Sequence, residues 1–267
     1  MEMKRHFAAP DEIMYHTGFC AASLQGARIA VLPGDPGRVE PLAAQLGEKP
    51  VFIASHREYT SWLTYIDAHP VLVCSTGMGG PSTAICLEEL ARMGITHVIR
   101  FGTTGAIQDY AELGDVIIDK AAVRLDGTSR HYAPEAFPAV ASFAVTGALQ
   151  QAAEQAGVKY HIGISVSSDT FWPGQERYDS FTGYVPRWLQ GSLKEWQALG
   201  ALNYEMETSA LFVTAHCLGI KAGAVCGVVA KRTESEQIAP HDAYDRAFSG
   251  MVQITRGAVG LLLKAGD

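Results

Sequence analysis

The chain has 267 residues, 48% of them hydrophobic and 18% charged, with 27 glycines and a formal net charge of −7. Those values describe one large globular α/β domain and exclude a disordered or fibrous chain. With 21 basic residues and no dense Lys/Arg run, nucleic acid and an anionic membrane are excluded as partners.

The opening stretch, MEMKRHFAAPDE, is charged and lacks a long apolar run, which predicts no signal peptide. ARIAVLP (27–33) predicts a buried strand that runs into PGDPGR, and VFIA (51–54), WLTYI (62–66) and PVLVCST (70–76) are strand-like. GMGGPSTAICLEELARMG then opens a helix, with Pro81 suited to its first position and Gly94 to its end. THVIRF (96–101) predicts a strand ending in GTTG, and GDVIID (114–119) predicts another. Residues 139–156 have helical spacing and stop at Gly157. HIGISVSSD (161–169) predicts a strand, NYEME a short one, and TSALFVTAHCLG a helix. KAGAVCGVVA is a buried strand, its apolar run far too short to span a bilayer, and 240–264 is helical.

This alternation predicts a layered α/β fold with a largely parallel sheet, as a single domain over 1–267. The loop-rich part from 167 to 200, with Trp172, Trp188 and Trp196, predicts an active-site insertion. Five cysteines form no C-x-x-C pair and sit mostly in apolar segments, the pattern of reduced thiols in a cytoplasmic protein. Nine histidines include no H-E-x-x-H, so no cage for a transition metal is visible.

Three glycine-rich turns are expected after strands: PGDPGR (33–38), TGMGG (76–80) and FGTTG (101–105). Glycine there lets backbone N–H groups approach an anion. None is a good nucleotide fingerprint: Ser82 stands where a third glycine is needed, and no G-x-x-x-x-G-K-[ST] exists. Arg38 closes the first turn, Arg100 precedes the third, and Arg57 lies beside another strand end. Each alone reads equally well as a surface ion pair. Together, with Thr103 or Thr104 adding a hydroxyl, they point to inorganic phosphate.

NYEMETSA (203–210) places Glu205 and Glu207 among apolar neighbours. In an extended segment both point to one side, where a vicinal diol can donate to a carboxylate. Glu207 is the expected ligand of a sugar hydroxyl. Glu205 either shares that task or pairs with an arginine, and Met206, on the other side, reads by itself as core packing.

PGDPGR, SHREYTSW, CSTGMGGPST, RFGTTGAIQ, VRLDGTS, SSDTFWPGQERYD, GSLKEWQALG and NYEMETSAL together resemble the nucleoside phosphorylase family, and within it the uridine-cleaving members. The resemblance runs from about His16 to Thr233. It implies a three-layer α/β/α fold with a central twisted mixed β-sheet, and a homo-oligomer, a hexamer of three dimers. It also implies reversible phosphorolysis of uridine, with deoxyuridine and thymidine left open, and inorganic phosphate as co-substrate with no organic cofactor.

By the same resemblance Gly34, Arg38, Arg100 and Thr103 surround phosphate, and Arg57 enters from a neighbouring subunit. Thr104, Gly105, Phe171, Gln175 and Arg177 hold the base, with Arg232 in a loop closing over it. Glu205, Met206 and Glu207 line the ribose, and His16 reaches its 5′-hydroxyl across the dimer. Arg100, Arg177, Glu207 and Arg232 are the expected catalytic set. Glu58, the Met78 carbonyl and Ser82 form a monovalent-cation site, occupied by K⁺ in some relatives. Outside the resemblance, His16 reads as a solvated side chain, Glu58 as an interface ion pair, Ser82 as a polar helix start, and GQER as another.

The late loop here reads AKRTESE and lacks the aspartate by which the purine branch protonates its base. A purine phosphorylase is thus the nearest alternative and a phosphate-independent nucleosidase the next. A non-catalytic nucleoside-binding protein on the same scaffold is the third.

Overall fold

Five consecutive buried residues, IAVLP, make β1 (Ile29–Pro33) a strand covered on both faces. The computed structural model describes residues 4–233, 235 and 241–266. After β1 come α1 (Val39–Leu46), β2 (Glu48–His56), β3 (Tyr59–Ile66), β4 (His69–Cys74) and α2 (Gly80–Arg92). The middle of the chain forms β5 (His97–Ala106), β6 (Val116–Leu125), α3 (Ser129–Tyr132), β7 (Ala139–Val140) and α4 (Phe143–Ala156). It continues with β8 (Tyr160–Ser168), α5 (Ser192–Ala198), β9 (Asn203–Glu205), α6 (Thr208–Leu218), β10 (Lys221–Lys231) and α7 (His241–Ala265).

The strands form one mixed sheet in the order β10-β6-β8-β9-β5-β1-β4-β3-β2. Because β10 also pairs with β5, the strands β5, β9, β8, β6 and β10 close into a ring. Alternation along β1 sorts its side chains between two cores. Ile29 and Val31 join the core under α1, α4 and α7, while Ala30 and Leu32 join the one under α2 and α6. Helices thus cover both faces, giving the expected three layers. Full burial of each such Val, Leu or Ile stabilises the fold by roughly 1.5–3 kcal/mol. Among the described residues no helix is long and apolar enough to cross a membrane, and all five cysteines are free thiols.

Three segments differ from expectation. FGTTG is not a turn: β5 runs through it to Ala106, because β10 lies alongside and pairs Cys226 with Gly102, Gly227 with Thr103 and Val228 with Thr104. NYEME is extended only to Glu205, and Glu207 (φ −134°, ψ −23°) is already the residue that caps α6. Residues 139–140 pair with β6 as β7, so the helix expected from 139 begins at Phe143. Part of the late loop AKRTESE, with residues 234 and 236–240, lies outside the described residues, as do 1–3 and 267. The expected closure of that loop falls there.

Candidate active site

The carboxyl ends of β1, β4, β5, β8, β9 and β10 surround a cavity of about 550 Å3, a volume suited to a small organic ligand plus an anion. Each wall follows from local chain chemistry.

Beyond β1, Asp35 accepts a hydrogen bond from the Gly37 N–H at 2.8 Å, and Pro36 opens a single 3-10 turn, Pro36–Arg38, that leads into α1. This brings Gly34 and Arg38 to the cavity wall. The Arg38 guanidinium lies 5.3 Å from the centre of the Tyr244 ring on α7, which restrains it while leaving it partly exposed.

Beyond β4, Gly77 (φ +72°) and Gly79 (φ +92°) let the chain double back before α2. A Cβ on Gly77 would come within 2.8 Å of the Glu58 side chain, so the turn and Glu58 pack only because that residue is glycine. Glu58 and Met78 line the cavity, and the Ser82 hydroxyl, outside the lining, donates to the Met78 carbonyl at 3.1 Å.

Arg100 on β5 is the electrostatic centre. Its Nε is 3.2 Å from Glu205 Oε2 and its Nη2 is 2.6 Å from Glu207 Oε2, with all three side chains buried. Burial alone would favour losing the arginine's proton; Glu207 and Glu205 more than offset it and hold the guanidinium charged. Burial pushes the Glu207 carboxyl up, against the pull of Arg100. Two carboxylates enter apolar surroundings here because one buried cation sits between them.

The two glutamates differ in what else they hold. Glu205 accepts from the Glu207 and Thr208 backbone N–H groups, each at 2.8 Å, and from the Ser167 hydroxyl. Its oxygens are committed to the protein. Glu207 accepts from the Gly79 N–H at 2.6 Å, tying the second turn to the site, and each of its oxygens keeps a further lone pair. The break in the strand after Glu205 lets Met206 line the cavity together with both glutamates, which strict alternation forbids.

The segment after β8 supplies the aromatic wall. Phe171, Gln175 and Arg177 line the cavity, with the Arg177 guanidinium 4.1 Å from the centre of the Phe171 ring and its Nε donating to Gln175 Oε1 at 3.5 Å. Glu176, between them, faces away and accepts from the Leu193 N–H at 2.6 Å and the Tyr178 hydroxyl at 3.1 Å. Spacing in the sequence gives no signal for this staple, which depends on Leu193 arriving beside Glu176 in space. Arg232 does not line the cavity. It donates to the Gln175 carbonyl at 3.1 Å and packs against Gly105, supporting the Gln175 turn from behind.

Thr103, Thr104 and Gly105 all line the cavity as parts of β5. The Thr104 hydroxyl is spent on the scaffold: it donates to the Tyr204 carbonyl at 2.6 Å and accepts from Asn203 Nδ2 at 2.8 Å.

His16 and Arg57 stay outside the cavity of their own chain. They meet instead through exposed Tyr15, whose ring is edge-on to His16 at 4.9 Å and lies 5.3 Å from the Arg57 guanidinium. Glu89 on α2 fixes His16, with Oε1 2.8 Å from Nδ1 and 2.9 Å from the His16 backbone N. Burial raises the Glu89 carboxyl, but hydrogen bonds from His16 and Thr17 prevail and hold it below the usual range.

Residues 28–258 match the family model described as the phosphorylase superfamily. The chain is 53% identical over 223 residues to the uridine phosphorylase of Escherichia coli (strain K12), covering 84% of this chain and 88% of that protein. It is 37% identical over 253 residues to the uridine phosphorylase of Treponema pallidum (strain Nichols), covering 93% and 94%. A guanosine phosphorylase of Halorubrum lacusprofundi is 34% identical over 241 residues, covering 88% and 93%.

Proposed function

The chain belongs to the phosphorylase superfamily, and we propose from this that it is a pentosyltransferase that cleaves uridine with phosphate, reversibly, to uracil and ribose 1-phosphate. One observation carries the reading. A single cavity contains Arg38 and Arg100, the Glu205–Met206–Glu207 stretch, and the Gln175–Arg177 pair, which are the partners for an anion, a sugar and a planar base.

Breaking a ribosyl bond puts positive charge on the sugar ring and negative charge on the departing base. Phosphate must be held close to the anomeric carbon without losing its charge. Arg38 and Arg100, with the Gly34 backbone and the Thr103 hydroxyl, hold it by fixed orientation. Arg100 suits this because Glu205 and Glu207 fix its guanidinium in place before the anion arrives. Their negative charge also favours a cationic sugar beside them.

Uracil leaves as an anion spread over its carbonyl oxygens. Arg177 gains strength as that charge develops, the differential binding that lowers a barrier. The Gln175 amide donates to one carbonyl and accepts from a ring N–H, Phe171 stacks near the base, and Thr104 and Gly105 border it on β5. Arg232 assists by steadying the Gln175 turn. Glu207 accepts the ribose 2′-hydroxyl, Met206 packs against the sugar, and Glu205 orients Arg100.

His16 and Arg57 serve the cavity of a neighbouring copy, His16 at the 5′-hydroxyl and Arg57 at phosphate, within a hexamer of three dimers. Their joint absence from their own cavity supports this. Glu58, the Met78 carbonyl and Ser82 offer only oxygen donors of low total charge, which fits a K⁺-like ion once Ser82 releases the Met78 carbonyl. The chain acts as one nucleoside phosphorylase unit in the cytoplasm.

The test is a coupled assay of uridine, thymidine and inosine, each with and without phosphate. Uridine is cleaved only when phosphate is present, and inosine is not cleaved. Free ribose released without phosphate, or a preference for inosine, overturns the reading.

A further inference from the structure

Behind Arg100, away from the cavity lining, lies a fully buried carboxyl group that the mechanism does not use: Asp119 on β6. Its Oδ2 accepts a hydrogen bond from the Cys226 thiol at 3.4 Å, the neighbouring Asn203 amide already donates to Thr104 at 2.8 Å, and its Oδ1 has no hydrogen-bond partner among the described residues. One thiol is a weak donor. A buried carboxylate needs several strong donors or a dedicated cation, and this one has neither to itself. Arg100 is already engaged by Glu205 and Glu207. The geometry therefore suits a neutral acid.

Cys226 connects this acid to the site. A Cβ placed on Gly102 would lie 3.0 Å from the Cys226 Sγ and 2.8 Å from Arg100 Nη2, so thiol and guanidinium border the same point on β5. The charged, titratable and polar groups acting on Asp119 are Arg100 from β5, Glu205 and Asn203 from β9, and Cys226 from β10. Its register partner on β8 is Gly163.

We propose that Asp119 is a positioning residue for the anion site: as a neutral acid it backs Arg100 without competing for its charge, and as a carboxylate it weakens the arginine's hold on a bound anion. The inference rests on the reading that Arg100 binds phosphate. Burial first, and the charge of Glu205 next, push the Asp119 carboxyl up to about 8. Three carboxylates around one guanidinium would then coexist only in alkaline solution, in a site that must also admit an anion.

The experiment compares the phosphate KM of the wild-type enzyme with that of Asp119→Asn between about pH 6.5 and about pH 9.5. The substitution leaves the solution chemistry of phosphate untouched, so the ratio of the two KM values isolates the residue. We expect a ratio near one at the acidic end and a wild-type KM higher by about tenfold at the alkaline end, with kcat changing much less. A ratio that stays constant across the range overturns the proposal. If the wild-type enzyme shows no dependence on phosphate at all, the functional reading has failed instead. Should Asp119→Asn not fold, Asp119→Leu, another neutral side chain of similar size, takes its place. If neither neutral variant folds, the site requires a carboxylate, and the proposal falls.

Discussion

The guanidinium of Arg100 fills the space where a side chain on Gly102 would stand: a Cβ there would be 2.8 Å from Nη2 and 2.9 Å from Cζ. Residues two apart on a strand share a face, so the arginine can fold back along β5 to Glu205 and Glu207 only over a glycine. In Gly102→Ala the clash is with the end of a flexible chain, so the guanidinium shifts and the fold survives. We predict a phosphate KM raised by about tenfold or more, since a shift of ~1 Å at a positioning group is enough for that. An unchanged phosphate KM with intact folding would refute the role of this contact.

Arg38 and Arg100 are expected to part company in stability while agreeing in function. Both Arg38→Ala and Arg100→Ala are predicted to abolish most phosphate-dependent turnover. Arg38 is partly exposed against Tyr244, so its loss costs little stability. Removing Arg100 leaves two buried carboxylates facing each other and destabilises the fold by roughly 3–5 kcal/mol. Denaturant unfolding of the two variants decides the matter, and equal midpoints would contradict the central pairing.

How much of this was legible in the sequence depends on the kind of signal. Strands such as IAVLP were plain because continuous burial on both faces leaves a continuous apolar run. FGTTG misled because glycines and threonines look like a turn; only the distant β10, arriving alongside, makes them a strand. The motif residues came through the resemblance, and the cavity gathers most of them. The pairing of Glu205 with an arginine was legible as one of two readings, whereas its hold on the Glu207 and Thr208 N–H groups, the staple at Glu176 and the buried acid at Asp119 were not. Each depends on which of several nearby polar groups meet in space, and spacing along one chain does not encode that.

Glu207 is predicted to govern sugar choice. A buried acceptor left without its hydroxyl is costly, so a 2′-deoxy sugar should be the poorer substrate. In Glu207→Gln the preference for uridine over deoxyuridine, measured as the ratio of kcat/KM values, should shrink by about tenfold or more. The amide can still meet the Gly79 N–H through its oxygen, which keeps the second turn in place. A preserved ratio would transfer the ribose contact to another residue.

Gln175 and Arg177 should affect the base and leave the anion alone. Arg177→Ala removes the guanidinium above Phe171, and Gln175→Ala removes the amide edge. Each is predicted to lower kcat/KM for uridine by about 100-fold or more, with phosphate affinity little changed, the size expected for losing a charge-directed donor in the transition state. Full activity on uridine in both variants would remove the base from this wall of the cavity.

Asp119 also gives stability a pH dependence of known sign. Its carboxyl is pushed up to about 8 in the folded chain, against 3.8 for a free aspartate side chain. Between those two values the folded state keeps a proton that the unfolded state releases, so raising the pH favours unfolding. The contribution is most favourable below the unfolded value and is lost progressively as pH rises through the folded one. Asp119→Asn carries no such proton. The Tm of the variant should therefore gain on the wild-type Tm from about pH 5 to about pH 8 and run parallel to it above. Two curves parallel over the whole range would mean that the acid titrates normally, as a partnered and ionised carboxylate.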